Sequence, residues 1–114
     1  MLSVNPEGHT RSEALELCRG IIASSTPALL GAHLLLPYLH ELRLDRDARF
    51  TRLIGIASET DSLPLHPSDR KNWSSLSLAA KDVAISEAEA RFRPAILACC
   101  EALALELESR REPA

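Results

Sequence analysis

Apolar residues recur along this chain at helical spacing. Ala14, Leu17, Cys18, Ile21 and Ile22 fall at i, i+3, i+4, i+7 and i+8, one stripe of an amphipathic helix. Just ahead of them Thr10-Arg11-Ser12-Glu13 fits a capping box, with Thr10 as N-cap and Glu13 reaching back. Ser24-Ser25-Thr26-Pro27 closes this helix and opens a second. Thr26 is its expected N-cap, and Pro27 stands in the first turn, where a missing N–H does no harm. Leu30, Leu34, Leu35, Tyr38, Leu39 and Leu42 carry the second helix to about Arg43. Pro37 lies inside it and is expected to kink it near Leu36. Gly31 is a candidate for a close helix approach. Asp45 is the expected cap of a third helix, whose stripe is Phe50, Leu53, Ile54 and Ala57 and which ends near residues 58–60.

Polar and turn-forming residues then dominate positions 61–72, DSLPLHPSDRKN, the longest loop and a candidate for function. Ser74 or Ser75 opens the last helical stretch. There Leu76, Ala79, Ala80, Val83 and Ala84 give way to Ala88, Phe92, Ile96, Cys99, Leu103 and Leu107. The stripe keeps its phase across Pro94, so a kink is expected there and not a break. A continuous helix of about 35 residues is roughly 50 Å long, more than the ~35 Å breadth of a domain this size. The surplus predicts an overhang that packs on a partner, in the simplest case a second copy joined through the C-terminal helix. The expected fold is all-α: a compact bundle of about four main helices, kinked at Pro37 and Pro94. Residues 10–110 form its single domain, with 1–9 a flexible arm and 111–114 a frayed tail.

Composition agrees. Twenty leucines and sixteen alanines stand against eight valines and isoleucines in 114 residues, a helix-forming balance. The net charge of −3 argues against nucleic acid as a partner, because such binders carry a basic excess. The first ten residues lack a signal-peptide pattern. The most apolar run, 27–39, is too short to span a bilayer. A cytoplasmic protein without a membrane partner is expected. Cys18, Cys99 and Cys100 form no CxxC pattern and read as buried small hydrophobes in a reducing compartment. His33 and His40 fall on roughly one helix face but about 10.5 Å apart along the axis, too far to share a metal ion. They read as partly buried or surface imidazoles. No cofactor and no metal is implied.

Arg43, Arg46, Arg49 and Arg52 recur every three residues, with Asp45 and Asp47 between them. The plain reading is a solvated, self-paired face; the sharper one is a stripe for an acidic partner. Glu101, Glu106, Glu108 and Glu112 on the last helix are acids that suit it, within the domain or across a dimer.

The most distinctive stretch is Ser58-Glu59-Thr60-Asp61, followed by Leu63-Pro64, Arg70 and Trp73. One reading is a structural clasp, in which Asp61 or Glu59 accepts from Arg70 or loop N–H groups and Trp73 covers the core. The other is a recognition surface made of Glu59, Asp61, Arg70 and Trp73. This stretch resembles a family of short, uncharacterised, helical bacterial proteins with the pattern S-E-T-D-x-L-P, then R-x-x-W, then an Ala- and charge-rich helix ending near an A-C pair. Here these read as residues 58–64, Arg70 to Trp73, Lys81-Asp82 and Ala98-Cys99, and the resemblance spans about residues 14–105. One departure is His66-Pro67, where the pattern leads us to expect a Gly. The resemblance implies a small helical bacterial protein and no particular activity.

Gly-rich phosphate loops, GxSxG, HExxH and EF-hand patterns are all missing. The reading is therefore not an enzyme but a protein-binding module, of the kind that blocks a toxin as immunity proteins do. Trp73, Arg70, Glu59 and Asp61 are its candidate anchors. The first alternative is a small-ligand or nucleotide site, metal-dependent, in which Glu59 and Asp61 hold a cation and Arg70 a phosphate. The second is a homo-oligomeric structural protein built on the last helix.

Overall fold

The computed structural model describes residues 6–110. They form five helices: α1 (Pro6–Ile22), α2 (Ala28–Glu41), α3 (Thr51–Glu59), α4 (Pro67–Arg70) and α5 (Ser75–Ser109), with no strand among them. The fold is all-α as expected, with α4 as an added single turn. Residues 1–5 of the expected arm and the whole of the expected tail lie outside the described residues.

Several helix ends differ from the sequence reading. α1 begins a turn before Thr10. Thr10 is thus inside the helix, and its hydroxyl donates to Glu41 Oε2 of α2 at 3.0 Å. Glu13 does not reach back either: it pairs with His9 and accepts from the Tyr38 hydroxyl at 2.7 Å. α1 ends with Ser24 in the left-handed region at φ 65°. Ser24 N–H donates to Ile21 O and Ser25 N–H to Gly20 O, which absorbs two orphan carbonyls in a Schellman cap. The same motif ends α2: Arg43 has φ 60°, Arg43 N–H donates to His40 O, and Leu44 N–H donates to Leu39 O. Leu44 is buried beside Leu39, the apolar contact that usually accompanies this cap.

Thr26 does not cap α2. Its N–H donates to Gly20 O, and its side chain folds onto Gly20, where an added Cβ would meet Thr26 Oγ1 at 2.9 Å. Pro27 takes the N-cap position without a side-chain hydrogen bond. The cap comes instead from α5, where Glu89 accepts from Ala28 N–H at 2.8 Å and from Leu29 N–H at 2.9 Å. Arg93, one turn on, donates to Ser24 Oγ at 2.5 Å. Two side chains of α5 thus hold the α1–α2 loop. Asp45 does not cap α3 either. The chain leaves Leu44 through turns, Asp47 Oδ1 accepts from Arg49 N–H at 2.9 Å, and the helix begins only at Thr51.

Pro37 and Pro94 each lie inside a continuous helix. Both are exposed, so the carbonyl each proline strips of its partner is free to take water.

The core is built on the second half of α5. Phe92, Ile96, Cys99, Cys100, Leu103, Ala104 and Leu107 are buried there against α1, α2 and α3. Cys18 of α1 and Cys100 of α5 are both fully buried. The Cys18 thiol lies in hydrogen-bond contact with Cys100; that bond and burial push it up, while the same bond lowers Cys100. All three cysteines are free thiols. Gly31 marks the close approach expected of it: a Cβ there would come within 2.3 Å of Ile21 Cδ1.

This gives a paired expectation. Gly31→Ala should lower stability by about 1–2 kcal/mol, because overpacking a buried contact outweighs the gain in helix propensity. Gly55→Ala, on α3, meets nothing within 4 Å and should raise stability by about 0.5–1 kcal/mol. Urea denaturation of the two variants beside the parent checks both signs.

Candidate functional site

The loop between α3 and α5 is more structured than its composition suggests. Pro67 starts α4 at a position that needs no N–H, and His66 caps it by accepting from Ser68 N–H through Nδ1 at 3.2 Å. The departure at His66-Pro67 is therefore what builds this turn. Arg70, at the end of α4, reaches across to α5. It pairs with Asp82 at 2.8 Å and donates to Pro64 O at 3.2 Å. The pairing raises the Arg70 pKa and lowers that of Asp82. Lys81 lies over the Trp73 ring at 5.3 Å.

The clasp reading is corrected in its partners. Arg70 closes on Asp82, not on Asp61 or Glu59. Asp82 lies within reach of the guanidinium at the end of α4. Trp73 does not cover the core; 38% of it is exposed. The side chains of Glu59 and Asp61 are exposed and make no ion pair among the described residues. The structure thus brings Arg70 and Trp73 together on the flank of α5. It places Asp61 elsewhere, on a cleft of about 180 Å³ shared with His33, His66 and Asp69. No groups of three or more His, Cys, Asp or Glu that could hold a metal ion occur among the described residues.

Thr60, between the two acids, is the buried polar member of the motif. Its hydroxyl donates to Ile56 O at 2.8 Å. With that proton committed, Oγ1 accepts from His33 Nε2, also at 2.8 Å. Burial lowers the His33 pKa from 6.5, with Asp61 and Asp69 opposing. The folded ring therefore resists a proton that the unfolded chain accepts below 6.5. Stability should be full above that value and fall as pH drops through the depressed folded value. Denaturation at about pH 7.5 and 5.5 should show this loss in the parent and a smaller one in His33→Gln, which keeps a donor for Thr60. Identical pH dependence in the two would mean that the folded ring titrates freely.

Of the arginine stripe, Arg49 alone forms ion pairs among the described residues. Arg49 holds Asp47 and Glu106 of α5, each at 2.7 Å. Its guanidinium keeps the Asp47 carboxyl down at about 2. Arg110 pairs with the same Glu106 at 2.9 Å. Arg52 lies over the Phe92 ring at 5.7 Å. Glu106 of the last helix thus meets the stripe within the domain through Arg49, while Glu108 lies by Arg19 instead.

What the loop motif leaves out lies on α5 itself. Residues 75–91 include no buried residue. One side of this stretch, Leu78, Lys81, Ile85 and Ala88, is half-buried over the body. The other side faces solvent: Leu76 is 85% exposed and Val83 60%, with Ala79, Ala80 and Ala90 exposed beside them. Leu76, Val83 and Ala90 are seven apart and fall within about 20° of one another per step on the helix. The long axis of the molecule, 53 Å, is the length of α5. The radius of gyration, 15.5 Å, exceeds the ~13 Å of a compact domain this long. The expected overhang is present. The apolar positions in 76–84 were legible in the sequence, but a stripe does not say which side is covered.

No helix among the described residues is long and apolar enough to cross a membrane. Compared with protein-family models, with curated proteins and with solved structures, the chain matches none.

Proposed function

We propose that this chain is a protein-binding module whose contact surface is the outward side of the first half of α5, flanked by Trp73 and Arg70. The observation that carries the reading is the exposure of Leu76 and Val83 on a helix segment that has no fully buried residue. A helix with apolar residues on both sides is normally covered on both, and contiguous exposed apolar surface marks a contact. Val83 and Leu76 would supply the apolar centre, and Trp73 and Arg70 the anchors at its edge. Glu59 and Asp61, on the far end of α3, join as outlying charges that steer a basic partner. Small size and the absence of catalytic signatures favour a blocking role, as in immunity proteins that silence a toxin in the cytoplasm.

The test is a charge placed in the apolar centre. Leu76→Glu/Val83→Glu should keep the parent's melting temperature, since neither residue is buried. It should lose a stoichiometric partner that the parent retains when purified from its native cells. A partner retained equally by both proteins would overturn the surface. Light scattering on the same samples separates the homodimer: a doubled mass in the parent, halved in the variant, makes the partner a second copy.

A further inference from the structure

A cleft of about 1150 Å³ opens between α1 and α2, on the far side of the loop gripped by Glu89 and Arg93. That is ample room for an organic ligand. Two helix faces line it. His9, Glu13, Glu16 and Gly20 recur at i, i+4, i+7 and i+11 on α1, and Leu34, Tyr38 and Glu41 at i, i+4 and i+7 on α2. The floor is apolar: Leu17, Leu34, Pro37 and the Tyr38 ring. Leu34 is 37% exposed there, an apolar surface kept open by the spread of the two helices.

The charges around this floor do not cancel. Glu13 is engaged by His9 and Tyr38. Among the described residues Glu41 accepts only a neutral hydroxyl, from Thr10 at 3.0 Å, and Glu16 is exposed with no ion pair. Among the described residues Arg19 is the one arginine or lysine lining the cleft, and Glu108 of α5 balances it from outside at 3.6 Å. Uncompensated carboxylates therefore stand over a hydrocarbon and aromatic floor. A bare metal ion gains nothing from leucine, and these acids do not converge on a metal position. A ligand with an apolar body and protonated nitrogen uses both parts. The body covers Leu17 and Leu34, the ammonium pairs with Glu16 or Glu41, and the Tyr38 ring adds a cation–π face.

We propose that the α1–α2 cleft is a binding site for an organic amine cation. It is separate from the α5 surface, so neither proposal depends on the other. Two sources share this chemistry, an aliphatic polyamine and an arylalkylamine, and two probes distinguish them. Spermidine and 2-phenylethylamine are titrated separately into the full chain while NMR follows the Leu17 and Leu34 methyls and the ring of Tyr38, the single tyrosine. Magnesium chloride at matched ionic strength is the control. The expected result is saturable movement of all three reporters with at least one amine. Affinity should fall about fivefold in Glu16→Gln and further in Glu16→Gln/Glu41→Gln. Glu16 is exposed and makes no ion pair among the described residues, so its variant keeps the fold, and the parent titration decides even if the double variant does not. Absence of saturation with both amines overturns the site. So do equal shifts with magnesium, which would reduce it to an acidic surface.

Discussion

Phe50→Ala should cost about 3–5 kcal/mol of folding free energy, the largest loss expected from one side-chain truncation here. Phe50 is fully buried and heads the largest such side chains in the molecule. It stands at a junction that has little else to hold it. Residues 45–50 form turns and no regular ladder. Phe50 N–H donates to Asp47 O at 2.9 Å, and its carbonyl receives Leu53 N–H as the first bond of α3. Arg49, tied to Asp47 and Glu106, lies over the ring at 5.0 Å. The ring is thus the point at which α3 is pressed into the core, and α3 is too short at nine residues to persist without that packing. A domain with roughly 5–15 kcal/mol in total would lose much of its margin. Phe50→Leu keeps most of the volume and should lose only about 1–2 kcal/mol, which keeps the comparison measurable if the alanine variant unfolds. Urea denaturation reads both. A loss below about 1 kcal/mol for the alanine variant would mean that the site collapses freely and that α3 is not held there.

The parts of this fold that depend on neighbours in sequence were legible. The stripes of α1, α2 and the second half of α5 follow from apolar spacing. Ser74 caps α5 as expected, with its hydroxyl accepting from Ser77 N–H at 3.1 Å. The overhang follows from arithmetic alone, since a helix of about 50 Å has no room in a domain this small. Gly31 was legible because a glycine inside an apolar stripe has few uses other than close approach.

The parts that depend on distant partners were not. Thr26-Pro27 has the local form of a helix start, yet Thr26 answers to Gly20 and the cap arrives from 61 residues away. Asp61 and Arg70 look like a pair in sequence, but the turn at α4 aims Arg70 at Asp82. For the candidate site the same rule holds. The motif 58–64 draws attention by its residue types, while its buried polar member is Thr60, whose role is to satisfy Ile56 O and His33. The acidic cleft between α1 and α2 has no local signature, because its two walls are ordinary polar faces that acquire meaning only when paired.

Glu89→Ala should lower stability by about 2–3 kcal/mol, more than a typical helix cap. The reason is where the orphaned donors lie. Ala28 and Leu29 are essentially buried, at 0% and 1% exposure, so their N–H groups have no easy recourse to water once the carboxylate is gone. The charge also faces the positive end of the α2 dipole from a partly buried position. Neighbouring Arg93 stands 3.7 Å from the same carboxylate and grips Ser24, so the loss should loosen the whole α1–α2 loop against α5. Glu89→Gln separates charge from contact. Its amide retains one acceptor for one of the two N–H groups and no net charge, and it should recover about half of the loss. Amide hydrogen exchange supplies the second reading: Ala28 and Leu29 should lose protection in both variants, while Leu103, deep in the second half of α5, changes only with global stability. Equal stability of the alanine variant and the parent would show that Pro27 and the loop hold α2 without α5.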